Sequence, residues 1–276
     1  MPSVSSKLFR DGVLDGQVAI ISGAGSGIGR ATAEELVALG ATVVGCGRRI
    51  EPLQAVPGIE PVACDIREED QVDALVDGVV ERHGRIDLLV NNAGGQFLAP
   101  AETVSPKGFR TVIRLNVEGT WLMTHAVATK AMIPARAGKI VSITLSPHGG
   151  LPGMTHSAAA RAAIETMMQC LATEWARFGI TCNAIAPGQI GTDTFMTKYP
   201  QQMVEMAAAA IPLGRLGTAE EIASMIAYLA TPAGDFTTGS VITIDGGRDN
   251  NEGRWPGPFM AGPDGEPLME ARRPTP

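Results

Sequence analysis

A run of small residues between two apolar segments has the composition of a phosphate-binding turn. Residues 17–21 form an apolar run, and residues 28–39 show helical spacing. A strand, a glycine turn and a helix suit a dinucleotide diphosphate, because glycine lets the backbone approach phosphates and the helix start presents unpaired N–H groups. The spacing departs from GxGxxG, so an ordinary turn is the alternative. The candidate contacts are Gly23, Gly25, Ser26, Gly27, Ile28 and Gly29.

Two arginines follow the second predicted strand, where the ribose of a bound dinucleotide is expected. Arg48 and Arg49 have no acidic neighbour before Glu51. A guanidinium pair suits a 2′-phosphate, which accepts forked hydrogen bonds, whereas an acidic residue would hold a free 2′-hydroxyl. A pair of solvated surface arginines is the alternative. We interpret the pair as favouring NADP(H) over NAD(H).

A serine and an arginine lie one helical turn apart near the start of a long predicted helix, residues 155–178. The spacing from Ser157 to Arg161 places both side chains on one helix face. A serine hydroxyl does not titrate near neutral pH, and arginine stays protonated. The pair therefore supplies hydrogen-bond donors and positive charge rather than a general base. Thr144 and Ser146, beside the end of a predicted strand, offer two further hydroxyl groups.

The strands and helices that position these groups are predicted from alternating segments of the sequence. Strands are predicted at residues 17–21, 41–46, 61–64, 86–90, 139–145, 180–186 and 240–245, and helices at 28–39, 68–83, 109–133, 155–178 and 219–229. This alternation predicts an α/β fold: a single-domain, doubly wound parallel sheet (Rossmann-like) with helices on both faces. Residues 189–213 are expected to be mobile. Residues 1–13 are expected to form an N-terminal arm, and residues 248–276 an extended C-terminal tail.

The bulk composition argues against several classes of partner. The 276 residues carry a formal net charge of −7, which disfavours nucleic acid and an anionic membrane. No apolar run approaches the roughly 18–20 residues of a membrane span, and no residues show metal-ligand spacing. We therefore expect a cytoplasmic protein with no bound metal. The four scattered cysteines are interpreted as small core residues.

Several motifs follow one another in a fixed order along the chain. They are the turn with Gly23, Gly27 and Gly29, then Asp65, Asn91-Asn92-Ala93-Gly94, Asn116, Pro187-Gly188 with Thr192, and Ile244-Asp245-Gly246-Gly247. In this order they resemble the short-chain dehydrogenase/reductase family, from about Leu14 to Gly247. The resemblance implies an oxidoreductase that uses NAD(P), acts on a small molecule and forms a homotetramer.

The resemblance also assigns coenzyme contacts along the chain. Ser26, Gly27 and Ile28 are expected to touch the diphosphate and the adenosine ribose. For Asp65 taken alone, a helix N-cap is the alternative role. The other implied contacts are Asp65 and Ile66 beside the adenine, Asn92, Ala93 and Gly94 along the ribose, and Pro187, Gly188, Ile190 and Thr192 at the nicotinamide end.

The catalytic stretch departs from the family pattern. Members usually carry a tyrosine and, four residues on, a lysine; these positions hold Ser157 and Arg161 here. With residues 91–97, 174–175 and 246–248, the replacement resembles the peroxisomal trans-2-enoyl-CoA reductase branch of the family. That branch has a tyrosine, often assigned as its acid, at the position of Glu165. The proton donor of this chain is therefore unassigned.

Three functions follow from these observations. The first is NADPH-dependent reduction of the carbon–carbon double bond of a 2-enoyl thioester such as an enoyl-CoA, because the developing enolate needs hydrogen-bond donors more than a base. The second is a carbonyl reductase or alcohol dehydrogenase with an unusual acid. The third is a catalytically silent dinucleotide-binding protein.

For the first function each candidate residue has an expected role. Asn116 is structural or holds a water molecule, and Arg161 clamps the coenzyme ribose. Ser157, with Thr144 or Ser146, donates hydrogen bonds to the enolate oxygen. The expected substrate contacts, three of which are candidate proton donors, are Gln96, His148, Met154, His156 and Tyr199.

Overall fold

Seven strands pair in parallel into one sheet, each built from a short, mostly apolar run. They are β1 (Val18–Ser22), β2 (Thr42–Gly47), β3 (Ile59–Ala63), β4 (Leu88–Asn91), β5 (Gly138–Ile143), β6 (Ile180–Pro187) and β7 (Val241–Ile244). The strand order is β3-β2-β1-β4-β5-β6-β7. The order reverses direction between β1 and β4, which opens a crevice for a ligand beyond the carboxyl ends of these strands.

The structure is a computed structural model that describes residues 9–146, 148–198 and 200–250. The predicted fold class is confirmed, and each predicted strand is present with ends that differ by at most two residues. Tyr199 and residues 251–276 of the predicted tail lie outside the described residues, as do residues 1–8 of the predicted arm.

Helices cover both faces of the sheet. They are α1 (Gly27–Ala38), α2 (Ile50–Gln54), α3 (Glu69–His83), α4 (Pro106–Ile113), α5 (Gly119–Val127), α6 (Ile133–Ala135), α7 (Thr155–Trp175), α8 (Asp193–Lys198), α9 (Gln201–Ala209) and α10 (Ala219–Ala230). Short 3₁₀ turns occupy Ala101–Thr103, Ala176–Phe178 and Pro232–Gly234. Within the described chain, no helix is both long and apolar enough to cross a membrane.

One long helical stretch is interrupted twice. The sequence predicts a single helix over residues 109–133, whereas α4, α5 and α6 are joined by π-helical turns at Arg114–Glu118 and Ala128–Met132. The stretch begins sharply because Ser105 Oγ accepts from the backbone N–H of Gly108 at 3.0 Å and Pro106 occupies the first turn. Single π turns often mark functional positions, and the first of them contains Asn116.

Two apolar layers hold the sheet between the helices. Along β1, Ile20 joins the layer packed by α3, α5 and α7, whereas Ala19 and Ile21 join the layer packed by α1 and α10. This alternation follows from the two-residue period of a strand. Both layers are buried, so the strands are held rigidly and their carboxyl ends form a fixed edge for a binding site.

The segment after β6 is more regular than expected. Residues 189–213, predicted as mobile, contain α8 and α9. Gln189 begins the segment, and its backbone carbonyl accepts from Gly217 N–H at 3.0 Å. Further along, Thr218 and Glu221 form a reciprocal capping box that starts α10. The segment is thus anchored at its start.

Candidate active site

A cavity of about 340 Å³ lies at the carboxyl ends of β1, β2 and β4. Most predicted coenzyme contacts line it, which places side chains from five separate stretches of sequence in one crevice. Those lining residues are Gly23, Gly25, Ser26, Gly27, Ile28, Arg48, Arg49, Asp65, Ile66, Asn92, Ala93, Gly94 and Thr192. Gly29 does not line the cavity; a Cβ on it would lie 2.3 Å from the carbonyl oxygen of Gly23, so it is needed for packing inside the turn.

The glycine turn is tied to the loop after β4. Ser22 Oγ accepts from the backbone N–H groups of Asn92 and Ala93 at 3.1 and 3.0 Å. Asn92 Nδ2 donates back to the carbonyl oxygens of Ser22 and Gly23 at 3.0 and 3.2 Å. Asn92 therefore has a structural task in addition to lining the cavity.

The same turn fits a dinucleotide diphosphate. Gly23 and Gly27 have φ values of 70° and 52°, which other residues rarely adopt. The Ser26 side chain makes no capping hydrogen bond, so the first N–H groups of α1 have no side-chain acceptor. Unpaired N–H groups at a helix start are donors for phosphate oxygens.

At the opposite end of this cavity, the carboxylate of Asp65 is already paired. Arg67 donates from Nε to Asp65 Oδ1 at 2.9 Å and from its backbone N–H at 3.1 Å. The hydrogen bond from Arg67 lowers the pKa of Asp65. Arg67 was not a predicted site residue, although its spacing of two from Asp65 is a local signal. The exposed side chains of Arg48 and Arg49 lie in the same cavity.

A second cavity of about 430 Å³ adjoins the first, because Ile28, Asn92, Gly94 and Thr192 line both. The predicted residues among its lining are Gln96, Thr144, Ser146, Met154, Arg161, Pro187, Gly188 and Ile190. Sequence reasoning missed Leu145, Leu151, Gln189, Thr194 and Phe195, which also line it. All five lie within three positions of a predicted residue, so proximity in sequence was the available signal.

Arg161 lines the second cavity and is held in place there. Its Nη1 donates to the carbonyl oxygen of Ile143 at 2.7 Å. A Cβ on Gly94 would lie 2.2 Å from Arg161 Nη2, so the guanidinium packs directly on the loop after β4. Burial lowers the pKa of Arg161 to about 10, which still leaves it positively charged at neutral pH.

Asn116 is fully buried and holds the loop after β4 from beneath. Its Nδ2 donates to the carbonyl oxygens of Gly95 and Val112 at 2.9 and 2.8 Å. Its Oδ1 accepts from Gly95 N–H at 3.3 Å. These contacts give Asn116 a structural role at this loop, in the first π turn.

Ser157 does not line the second cavity, although Gln96 does. The serine is fully buried, and its hydroxyl donates to Gln96 Oε1 at 2.8 Å. A hydroxyl has one proton, so Ser157 offers that proton to Gln96 and not to a substrate. The expected direct donor thus lies one residue behind the cavity wall.

The other two hydroxyl candidates give their protons to protein acceptors. Thr144 Oγ1 donates to the carbonyl oxygen of Ile185 at 3.2 Å. Ser146 Oγ donates to Asp245 Oδ2 at 2.5 Å. Both residues line the cavity, but neither directs its donor into it.

The two histidine candidates are not brought to the cavity. His156 is fully buried and stacks on Phe97 with ring centroids 4.1 Å apart. His148 Nδ1 contacts Asp249 Oδ2 at 2.5 Å, and its Nε2 lies 3.3 Å from Glu165 Oε1. Neither histidine lines either cavity among the described residues.

The chain was compared with families and proteins already known. Residues 23–249 match the family model described as "Enoyl-(Acyl carrier protein) reductase". A Caenorhabditis elegans protein named as a probable 2,4-dienoyl-CoA reductase is 33% identical, over 94% of this chain and 89% of its own length. The 3-oxoacyl-(acyl-carrier-protein) reductase FabG of Thermotoga maritima is 38% identical, over 85% of this chain and 98% of its own length.

A solved structure shows the same similarity in three dimensions. The citronellol catabolism dehydrogenase AtuB of Pseudomonas aeruginosa superposes with a TM-score of 0.79 at 40% identity, covering 89% of this chain and 99% of that one. The family binds a nicotinamide dinucleotide, and the glycine turn described above fits that group. The chain is therefore an oxidoreductase of the short-chain dehydrogenase/reductase family.

Proposed function

We propose that the chain is an NADPH-dependent reductase of the carbon–carbon double bond of a 2-enoyl thioester. The observation that carries the proposal is the chemistry of the second cavity. Among its described lining residues, Arg161 is the one side chain with a formal charge at neutral pH. Its other polar side chains are amides and hydroxyls: Asn92, Gln96, Thr144, Ser146, Gln189, Thr192 and Thr194.

Such a lining suits an enolate better than an alkoxide. Carbonyl reduction leaves charge on one oxygen, which must then receive a proton from a nearby acid. A bound nicotinamide would supply hydride, and in a conjugated thioester the charge left after hydride reaches the β-carbon would be spread over the α-carbon and the thioester oxygen. Hydrogen-bond donors and the positive charge of Arg161 stabilise that oxygen, while water can protonate the α-carbon.

Gln96 is the proposed donor to the thioester oxygen. Its Oε1 is occupied by the hydroxyl of Ser157, which directs the amide so that Nε2 remains as a donor at the cavity wall. A preorganised donor of this kind typically contributes 10²- to 10³-fold to turnover. Ser157 is then a positioning residue, and the lost tyrosine of the family is replaced by a serine–amide pair.

The shape of the site supports an acyl substrate and NADPH. Leu145, Leu151 and Phe195 give the second cavity apolar walls that can pack an acyl chain. In the first cavity Arg67 neutralises Asp65, so that carboxylate does not oppose a 2′-phosphate near Arg48 and Arg49. The 2,4-dienoyl-CoA reductase among the relatives acts on a related class of thioester.

A substrate panel tests this proposal. Purified protein would be mixed with NADPH or NADH and trans-2-enoyl-CoA esters of increasing chain length, and coenzyme absorbance followed. We expect turnover with NADPH on the enoyl esters and little on saturated acyl-CoA esters. Tight NADPH binding without turnover on any substrate would instead indicate a silent dinucleotide-binding protein.

Carbonyl or alcohol chemistry is the second candidate. The observation that favours it is the 40% identity to a citronellol catabolism dehydrogenase, together with the 38% identity to a 3-oxoacyl reductase. Isoprenoid and simple aliphatic aldehydes, with the matching alcohols and NADP⁺, belong in the same panel. Turnover confined to these compounds would replace the thioester proposal.

A further inference from the structure

Two cysteines meet at the inner wall of the first cavity. Cys46 lies on β2 and Cys64 directly follows β3, the neighbouring strand. Cys46 pairs with Val62 in the sheet, and Cys64 is two residues further on. Side chains alternate along a strand, so both cysteines point to the same face. Both belong to the same apolar layer, and both line the cavity.

The two thiols perturb each other unequally. The interaction with Cys46 lowers the pKa of Cys64, although burial and Asp65 act in the opposite direction. The same interaction, with burial, raises the pKa of Cys46 well above its usual value. Cys64 therefore loses its proton more readily than Cys46, as an attacking thiol does relative to a resolving one.

We propose that Cys46 and Cys64 are a redox modification site, a dithiol that hydrogen peroxide converts to a disulfide when no coenzyme fills the cavity. The Cys64 thiol releases its proton, and the thiolate attacks one peroxide oxygen. The O–O bond breaks, Cys64 becomes a sulfenic acid, and the departing hydroxide takes up the released proton and leaves as water. The Cys46 sulfur then attacks the Cys64 sulfur. The S–S bond forms, the S–O bond breaks, and the proton of Cys46 leaves in a second water. Two thiols are oxidised and one peroxide is reduced.

Coenzyme binding is coupled to this reaction by geometry. The two cysteines are nearly inaccessible except through the cavity they line, so a bound dinucleotide shields them from peroxide. A disulfide draws the sulfurs to about 2.05 Å, closer than a hydrogen bond between thiols. The ends of β2 and β3 must then shift, and with them Arg48 and Asp65, which adjoin the two cysteines and line the same cavity.

The other two cysteines serve as controls. Cys170 is exposed on α7, so peroxide reaches it, but it does not line this cavity. Cys182 is buried in β6, and burial raises its pKa to about 12, which makes its thiol unreactive. Trypsin separates all four cysteines, into the peptides of residues 31–48, 50–67, 162–177 and 178–198.

Peptide mapping of the full chain tests the proposal. The protein would be treated with hydrogen peroxide, with and without saturating NADP⁺, then alkylated and digested under non-reducing conditions. We expect peptides 31–48 and 50–67 to appear as one cross-linked species that has lost two hydrogen atoms. NADP⁺ should lower its yield about tenfold, whereas oxidation of Cys170 should not change. Oxidation of Cys170 alone, or equal yields with and without NADP⁺, would overturn the proposal.

Coenzyme affinity gives a second measurement that does not depend on any substrate. The oxidised protein should bind NADPH about tenfold more weakly by calorimetry, a change of about 1.4 kcal/mol, and dithiothreitol should restore binding. Peroxide should leave the affinity of the Cys64→Ala variant unchanged, because this variant lacks the attacking thiol, while the Cys170→Ala variant should respond like the parent. The peptide map needs only the unmutated protein, so it tests the proposal even if one of these variants folds poorly. Unchanged affinity after cross-linking would refute the coupling.

Discussion

Ser157 Oγ donates to Gln96 Oε1 at 2.8 Å, and of these two residues only Gln96 lines the second cavity. Ser157, which the sequence resemblance puts at the position of the family's tyrosine, therefore contacts the cavity only through Gln96. The two residues therefore have different proposed roles: Gln96 is the hydrogen-bond donor at the cavity wall, and Ser157 orients it.

The first prediction concerns this pair. Replacing Gln96→Met removes the proposed donor with little change in volume and should lower kcat roughly 10²-fold. Ser157→Ala should cost about tenfold, because the amide loses its orientation but keeps its donor. In the double variant, Ser157→Ala should add nothing to the loss from Gln96→Met. Steady-state kinetics of the four proteins measure this double-mutant cycle.

The control for this cycle is on the same helix. Thr173→Ala removes an exposed hydroxyl of α7 that donates to the Gln169 carbonyl oxygen, and it should leave kcat unchanged. Fully additive losses for Ser157 and Gln96 would show that Ser157 acts independently of the amide.

The second prediction concerns coenzyme choice. Arg48→Ala combined with Arg49→Ala should raise the Kd of NADPH about 10- to 100-fold, since charge-assisted hydrogen bonds to a 2′-phosphate are lost. The Kd of NADH should change little. Calorimetric titration with both coenzymes measures the two constants. Arg82→Ala, an exposed arginine of α3 paired with Glu60 outside the cavity, is the matched control; equal weakening of NADPH and NADH would remove the argument for a 2′-phosphate.

The third prediction concerns the close contact at Gly94. An added Cβ would lie 2.2 Å from Arg161 Nη2 and 2.7 Å from Asn116 Oδ1. Gly94→Ala should therefore displace the guanidinium and weaken coenzyme binding about 10- to 100-fold, as expected for an overpacking cost of roughly 1–3 kcal/mol. Gly149→Ala, where nothing lies within 4 Å of the added atom, should bind normally. Normal binding by Gly94→Ala would show that Arg161 can move aside freely.

Much of the fold could be predicted because local patterns specify it. Apolar runs that end in glycine, asparagine or proline predicted the strands. Residues at the ends of these runs, such as Asn92 and Pro187, were expected to lie near one another because parallel strands end at one edge of the sheet. The π turn around Asn116 was not predicted, since it alters backbone hydrogen bonds without a residue type that signals it.

The direction of side chains could not be predicted for the candidate site. Ser146 gives its proton to Asp245, 99 residues later in the chain, and no local spacing encodes that partner. The contact of Cys46 with Cys64 likewise depends on the register between β2 and β3, which a single sequence does not specify. The Asp65–Arg67 pair could have been predicted, because its two residues are close in sequence, although Arg67 was not named.

His148 joins three parts of the chain beside the site. Its backbone N–H donates to Asp249 Oδ1 at 2.7 Å, its Nδ1 contacts Asp249 Oδ2, and its Nε2 faces Glu165 on α7. The hydrogen bond with Asp249 raises the pKa of His148, and the same contact lowers the pKa of Asp249. The imidazole of His148 thus contacts two carboxylates, Asp249 and Glu165, and this surrounding charge favours its protonated form.

The fourth prediction is a pH-dependent stability. Folding raises the pKa of His148, so the imidazole stabilises the folded state fully below the unfolded pKa of about 6.5, and this stabilisation is lost as pH rises through the folded pKa. Folding lowers the pKa of Asp249, so its carboxylate stabilises the folded state above about pH 4, and this stabilisation is lost in acid. Between these limits Asp249→Asn should lower Tm by about 2 °C, as expected for a partly exposed pair worth less than about 1 kcal/mol. The difference should vanish at alkaline pH, and in a His148→Gln background at every pH. A Tm difference that is constant from acid to alkaline pH, measured by calorimetry, would show that Asp249 acts through its backbone contact and not through the imidazolium charge.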